Sequence, residues 1–566
     1  MTNEYDAIVV GGGPAGSTAA GYLSRLGHRT MLLERSEFPR HRIGESLLPS
    51  MMPVLEDFDL VDACRAAGFV EKTGATFIWG KTREPWDIRF GDTPFLPAGF
   101  AFHVERSVFD EILLDHARRR GTDVRLNVTV LDAIRDGDRI TGVSYRDNAT
   151  GAVHASHARF IVDASGSASV IGRRVTERRY DEQMRQVALY GYFKAVRGAA
   201  DFRRNHIIIE SCPKGWFWFI PMNSERLGEV SLGLVTGREF EDEIRAKGPE
   251  AFYDEARSEA PYITELLGAQ AVRLDGMHTV RDWAYTCDTT AGPGYYLAGD
   301  AAAFLDPLLS TGVSLGMLAG YSASVCIHSV LRDPGMETAA AQFYATNYRQ
   351  MYEVTRDFLH YFYAGNASAH PHELFWEARR MLKFDENIGA KQAFSFFINT
   401  IPGNPHPALQ KQIPMFHQFM RNLDHSVNEV SSPPGMAKIV SGGFRRADCL
   451  TDDDIPIVNG RLESTCRIDR ATHTLERIRG VSFDRDRPVF SSTSSWLLGR
   501  NVAPLDDGAS KLLDLMDGET PWASIVDRYC THAGLSLDQG RARTSEIVSP
   551  LLAGDYVLVR PSIAAV

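Results

Sequence analysis

Gly11-x-Gly13-x-x-Gly16 stands between an apolar run and a helical one, and few folds accept that arrangement. Asp6-Ala-Ile-Val-Val10 reads as a short buried strand, and Gly11-Gly-Gly-Pro-Ala15-Gly16 as a tight turn. A helix then runs to Gly27, ahead of the strand Thr30-Met-Leu-Leu33. This is one βαβ unit of a Rossmann-type sheet, whose glycines let a pyrophosphate approach the helix N-terminus. Gly11, Gly13, Ala15 and Gly16 are therefore candidate contacts to a dinucleotide. Glu34, 18 residues past Gly16 at the end of the second strand, is placed to accept both ribose hydroxyls of an adenosine.

The rest of the chain limits what this unit can serve. Its 566 residues are 44% hydrophobic and 23% charged, a globular composition with room for about two to four domains. A net charge of −11, with no block of Lys or Arg, argues against nucleic acid or an acidic membrane surface as partner. Seven scattered cysteines without a C-x-x-C pair suggest neither a disulfide framework nor a zinc site, and no metal is expected. The start lacks a basic region followed by a long apolar one, so a cytoplasmic location is expected. Pro307 to Leu331 carries no Asp, Glu, Lys or Arg but has Gly312, Gly316 and Gly320, which suits a tightly packed soluble helix rather than a membrane span.

Short β-like runs between turn signals from Val124 to Val162 suggest a β-meander inserted in the α/β domain. After Ala301 the pattern is helical to about residue 424, and Ser431-Ser-Pro-Pro-Gly435 marks a boundary. The expected division is 1–345, a core with an inserted β-sheet substrate layer; 346–430, a helical region; 431–487, a linker; and 488–566, a small winged-helix-like domain. In that last part a helix around Gly508–Met516 precedes a second with Thr520 as N-cap, a third over 537–553, and a strand at Tyr556–Val559. Residues 501–566 hold 5 Lys/Arg against 9 Asp/Glu, the wrong sign for phosphate contact, so gating or protein contact is expected of them.

Tyr295-Tyr-Leu-Ala-Gly-Asp300 is an apolar strand ending in Gly-Asp ahead of the uncharged helix. It resembles the flavin-binding segment of glutathione-reductase-like and hydroxybenzoate-hydroxylase-like enzymes, which implies FAD rather than NAD, with Asp300 on the ribityl chain. Arg106, opening Arg106-Ser-Val-Phe-Asp110, matches an arginine such enzymes place near FAD, and Asp163-Ala-Ser-Gly166 ends another strand expected to face the cofactor.

Gly44-Glu45-Ser46 within Arg40-His-Arg-Ile-Gly-Glu-Ser46, and Trp216-Phe-Trp-Phe-Ile-Pro221, narrow the resemblance. From its alternation alone the second is a strand buried on both faces. As W-x-W-x-I-P, beside the glycine motif, it resembles the signature of flavin-dependent halogenases. The resemblance covers roughly residues 5–430, and the tail is most like the branch containing the chloramphenicol-pathway halogenase. It implies that Trp216 and Trp218 partition flavin from substrate. Lys72 falls where the family carries its active-site lysine, and Phe304-Leu-Asp-Pro-Leu-Leu-Ser-Thr-Gly312 matches its flavin and halide loop. Thr311 and Gly312 would hold chloride or bromide on backbone N–H groups. Arg42, Ser46 and Pro307 join the implied FAD contacts, and Asp282 either forms an ester to FAD or is structural.

One departure matters. Tryptophan halogenases have a glutamate just before Ser-Thr-Gly in this loop, where this chain has Leu309. Either Glu45, the nearest carboxylate in sequence, supplies that function, or the substrate is reactive enough without it. Phenols, pyrroles or activated acyl groups on a carrier protein meet that condition better than an indole. No second glycine motif suits NAD(P)H, so FADH2 is expected from a separate flavin reductase. The rival readings are a flavin monooxygenase or reductase of the same fold, and a redox-sensing FAD-binding protein.

Overall fold

The apolar strand Tyr5–Val10 lies at the centre of a mostly parallel sheet, between Val153–Asp163 and Thr30–Leu33. Tyr295–Leu297 and Asp123–Arg125 extend it on either side. Val10 is level with Leu33 and Asp163, and Asp163 with Leu297. Parallel strands that end level deliver their following loops to one edge, where α/β folds bind ligands. The glycine turn, Glu34, Ala164 and Gly299-Asp300 converge there for that reason. The computed structural model describes residues 5–80, 83–92, 98–194, 205–222, 229–281, 284–367, 370, 372–380, 450–458, 461–482, 502–505, 507–553 and 557–560.

The meander expected from Val124 onward is present as Val128–Asp136, Arg139–Asp147 and the first half of Val153–Asp163, all antiparallel. The last of these strands then runs on into the parallel sheet, which is how the insertion is fixed to the core. A second sheet carries the W-x-W-x-I-P strand, Gly215–Pro221, between Ile207–Cys212 and Val230–Gly237. All seven of its residues are buried, as alternating indole and phenyl groups on two covered faces require.

Pro14–Arg25 packs against Thr311–Arg332, the long uncharged helix. That helix has the length and mean hydropathy, 1.3, of a membrane span, but 83% of its apolar window is buried inside the protein. Its small residues allow the approach: Ser324 Oγ donates to Ala19 O at 3.2 Å, and a Cβ on Gly320 would sit 2.2 Å from Ala15 O.

The boundary placed at 345/346 falls inside the helix Glu337–Asn366, and the first compact unit runs to Phe384, with Asn422–Asp424. Tyr344 and Tyr348, one turn apart across that point, donate to Leu297 O and Gly299 O, so one helix braces the ligand edge of the sheet from both sides of the expected cut. Residues 381–449, the rest of the expected helical region and its Ser-Ser-Pro-Pro-Gly boundary, lie outside the described residues.

The second unit comprises Asp385–Arg421 and His425–Val566. Much of the expected linker is strand: Arg461–Asp469 pairs with Thr474–Ser482, and Ile455–Val458 with Val557–Arg560. Cys466, Ile468 and Leu475 are buried, and the polar residues that alternate with them in the sequence give a pattern easily taken for solvated chain. Asp507–Asp514, Trp522–Ala533 and Leu537–Ala553 supply three helices around Leu512, Ile525, Tyr529 and Val548. The second helix is capped by Pro521 rather than Thr520, whose hydroxyl instead donates to Asp517 Oδ2 at 2.7 Å.

Gly320→Ala is expected to force the two core helices apart, lowering unfolding free energy by roughly 1–3 kcal/mol and weakening FAD retention, since Ala15 lines the ligand cavity. Denaturant unfolding and flavin release on dilution check both effects.

Candidate active site

A cavity of ≈ 610 Å³ opens at the converging strand ends, within the size range of cofactor sites. Gly11, Gly13 and Ala15 line it beside the N-terminus of Pro14–Arg25, where no side chain caps the helix and no acid sits in the first turn. Those backbone donors are left for an anion such as pyrophosphate. Glu34 lines the wall, with Oε2 accepting from Gly12 N at 2.7 Å and Oε1 from Ser36 N at 2.9 Å, and each oxygen keeps capacity for a ribose hydroxyl. Arg40, absent from the candidate residues, also lines the cavity. It bridges Glu34 and Asp110 at 3.8 and 3.3 Å, and its Nε has no partner. These donors and acceptors fit FAD.

Arg106 is buried and holds Asp110 with two bonds, of 2.8 and 3.0 Å, while Nη1 donates to Ile43 O at 2.6 Å. Gly44 has φ +106, and a Cβ there would lie 2.8 Å from Nη1, so only glycine passes this point. Beyond it, Glu45 and Ser46 line the cavity with Arg42. Glu45 is 3% exposed; Tyr192 donates to Oε1 at 2.5 Å, and Oε2 has no partner. Burial pushes its carboxyl up to about 7, against the hydroxyls of Tyr192 and Ser231 and the charge of Arg106.

Two residues further along, Leu47 O accepts from Lys72 Nζ at 2.9 Å. Lys72 does not line the large cavity. It is 1% exposed, lies over the Phe90 ring at 5.4 Å, and has no carboxylate partner among the described residues. Burial lowers its amine to about 7. Buried His103 is bridged to Ser46 through the backbone, and its Nδ1 is unpartnered. Lys72 and His103 repel as cations, which with burial holds the imidazole well below its usual range.

Trp218 and Ile220 form part of the cavity wall, whereas Trp216, expected beside Trp218, is not among its lining residues. Trp216 Nε1 donates to Tyr363 OH at 2.7 Å, and that hydroxyl reaches Asp306 Oδ2 at 3.0 Å. Asp306 belongs to the loop Phe304–Gly312, so this network ties the tryptophan strand to the loop; burial pushes its carboxyl up to about 6. Sequence reasoning missed Tyr363 and Asp306 because their pairing spans 57 residues.

Phe304, Pro307 and Gly312 line the large cavity. Thr311, expected beside Gly312, instead opens on a separate void of ≈ 20 Å³ that also touches Phe304 and Gly312. That is about the room one water-sized particle needs. Leu309 is 4% exposed and brings no charge. Asp300 lines the cavity, and burial pushes it up to about 6, with Arg106 and Arg178 pulling it down.

Asp163 requires correction. It is fully buried, and its oxygens are taken by Ser165 N and Oγ, Ile171 N and Gly172 N at 2.6–3.0 Å. It shapes the turn whose Ala164, Ser165 and Gly166 face the cavity, and does not face it itself. Asp282 lies outside the described residues. In the helical region, His360 pairs with Asp181 at 3.3 Å, His370 meets Ser211 Oγ at 3.0 Å and stacks on Trp376, and His372 is exposed.

A doubly wound sheet with its glycine turn, ribose carboxylate and cavity at one edge defines an FAD-binding enzyme. The family model described as FAD binding domain matches residues 4–349. Tryptophan 2-halogenase of Chondromyces crocatus is 33% identical over 434 residues, covering 74% of this chain and 81% of its own. The sulochrin halogenase of Aspergillus terreus is 32% identical over 379 residues, 62% of this chain and 68% of its own. Among solved structures, the myxobacterial chondrochloren halogenase CndH aligns with a TM-score of 0.64 and 37% identity over 72% of this chain and 93% of its own. CmlS, a flavin-dependent halogenase, aligns with a TM-score of 0.74 and 27% identity over 98% of this chain and 96% of its own. The chain belongs to the flavin-dependent halogenase family, and is an oxidoreductase that binds FAD.

Lys72 also carries a stability signature. Its folded pKa lies below the unfolded value, so the unfolded chain binds more protons between about pH 7 and 10.5, and native stability rises with pH across that window. Lys72→Met is therefore expected to be more stable than the native chain at pH 7, by roughly 1–3 kcal/mol, with the advantage shrinking toward pH 10. Denaturant midpoints at a series of pH values check the slope.

Proposed function

We propose that the chain transfers an electrophilic halogen, from chloride or bromide, to an electron-rich phenol or pyrrole or to an activated acyl group, in natural-product biosynthesis. The observation that carries this reading is Lys72: a buried amine whose hydrogen bond, among the described residues, goes to the carbonyl of Leu47, the residue that follows the cavity-lining Glu45-Ser46. Bound FADH2, delivered by a separate flavin reductase, supplies with oxygen the oxidising equivalents that turn halide into hypohalous acid.

The protein's own residues do the rest. The void at Thr311 and Gly312, at the N-terminus of a 22-residue helix, suits a single halide ion. Trp216 and Trp218 wall off the substrate side, which discourages direct oxygen transfer. The amine of Lys72 then holds the hypohalous acid by a hydrogen bond, or takes up the halogen as a haloamine, and presents it to substrate. Its neutral form is the nucleophilic one, and burial makes that form available near pH 7.

Substrate class follows from Leu309. With no carboxylate at that place in the loop, Glu45 takes over the handling of protons near the flavin, and the substrate must be reactive without a base beside the halogen. Curated relatives are named for tryptophan and for sulochrin; the loop favours a phenol-like or carrier-tethered substrate here. The acidic C-terminal unit supports contact with a carrier protein or control of access, not nucleic-acid binding.

The test uses the full-length chain with a flavin reductase, NADH, oxygen and bromide or chloride, against free phenols, pyrroles and carrier-tethered acyl groups. Mass spectrometry should show halide-dependent halogenation, and Lys72→Ala should abolish it while flavin still binds and is reoxidised by oxygen. Product formation by Lys72→Ala at the native rate would remove Lys72 from the chemistry. Rapid reduction of the purified protein's FAD by NADPH alone would remove the separate reductase.

A further inference from the structure

A carboxyl that lines the flavin cavity yet is only 3% exposed needs a path for its proton. Glu45 has one: Tyr192 donates to its Oε1 at 2.5 Å, and the Nε2 of exposed His41 lies 2.9 Å from the Tyr192 oxygen. A phenol has one proton to give. Since Tyr192 gives it to Glu45, Nε2 of His41 is the donor at the outer contact, and the chain of bonds points inward. Glu45 Oε2 is buried and has no hydrogen-bond partner, which leaves it free to pass a proton on, and the residue lines the cavity.

The outer end is built rather than incidental. The His41 ring stacks on His278 at 5.0 Å, and His278 stacks in turn on Tyr190 at 5.0 Å. Tyr190 pairs with His278 across neighbouring strands and lines the cavity. Asp275 fixes the arrangement, with Oδ2 2.6 Å from His278 Nε2 and Oδ1 accepting from Tyr192 N at 3.3 Å. Three separate parts of the chain thus meet at this one imidazole.

We propose that His41, Tyr192 and Glu45 form a proton relay between solvent and the flavin cavity. The proposal rests on the halogenation reading for the demand it meets. Halogenation balances as RH + X⁻ + O₂ + FADH2 + H⁺ → RX + FAD + 2 H₂O, so every turnover takes up a proton. Oxygen accepts two electrons from FADH2 and two from halide. In one passage His41 gains a proton from solvent, its Nε2 proton moves to the Tyr192 oxygen, and the Tyr192 hydroxyl proton moves to Glu45 Oε1. Glu45, a residue of the cavity wall, then holds a neutral carboxyl.

The surroundings tune both ends. Arg106 and Glu105, at the start of one helix, act on Glu45 in opposite directions, and Ser231 faces it from a strand. Around His41 stand His278 and Asp275 with Arg42 and Arg106; burial and the cations lower the imidazole pKa, while Asp275 raises it. The carboxyl of Glu45, raised by burial to about 7, can gain and lose a proton near neutral pH.

Infrared spectroscopy of the FAD-loaded chain tests the relay without turnover. The protonated carboxyl of Glu45 is identified as the band lost in Glu45→Gln, and its exchange is timed after mixing into D₂O. Tyr192→Phe and His41→Ala, each loaded to the same FAD occupancy as native, should slow that exchange by roughly tenfold or more. Added imidazole should restore the rate in His41→Ala but not in Tyr192→Phe. Exchange at the native rate in Tyr192→Phe, or slowing in His41→Ala that imidazole leaves unchanged, would overturn the relay. If the native chain yields no halogenated product yet the variants slow the exchange, the halogenation reading falls and the relay stands.

Discussion

The guanidinium of Arg106 holds the Gly44-Glu45-Ser46 segment against the helix that begins at Arg106, and the geometry of two stations depends on that clamp. Its two bonds to Asp110 fix the group, and its bond to Ile43 O fixes the backbone. From there the chain runs through Glu45 and Ser46, which form cavity wall, to Leu47, whose carbonyl holds Lys72. One short segment thus serves the flavin cavity and the buried amine together. An Arg–carboxylate pair is suited to this, because its paired bonds set direction as well as distance.

Burial then does the chemical tuning. Glu45 and Lys72 start from opposite ends of the pH scale, and both are brought to about 7 because desolvation disfavours the charged form of each. Among the described residues neither is paired with an opposite charge that would undo the shift, apart from the modest pull of Arg106 on Glu45. Asp300 and Asp306, both near 6, show the same influence. Keeping water out of this space preserves the shifts, since hydration of either group would restore its ordinary pKa.

What the sequence revealed was local. The motifs of the glycine turn, Glu34, Asp300 and Trp218 each depend on a few neighbouring residues, and Gly11, Gly13, Glu34, Asp300 and Trp218 line the cavity. Asp163 misled because an Asp at a strand end signals cofactor contact, whereas here the chain turns back and Ile171 and Gly172 take one of its oxygens. Tyr192, 147 residues from Glu45, and Tyr363, 57 from Asp306, left no signal in spacing or periodicity. Their roles come from strand register and helix packing, which bring together parts of the chain that no local pattern links. The hairpin Arg461–Asp469 and Thr474–Ser482 was hidden for another reason, since its polar alternation resembles solvated chain.

The central claim is that halide is oxidised at one station and used at another, with Gly44–Leu47 between them. Anomalous scattering from bromide in crystals of the FAD-loaded chain tests this most directly. The account predicts a bromide peak against the backbone N–H groups of Thr311 and Gly312, in the small void beside Phe304, and none at Lys72 Nζ. A peak at Lys72 with the void empty would place halide and amine in one station, and would contradict it.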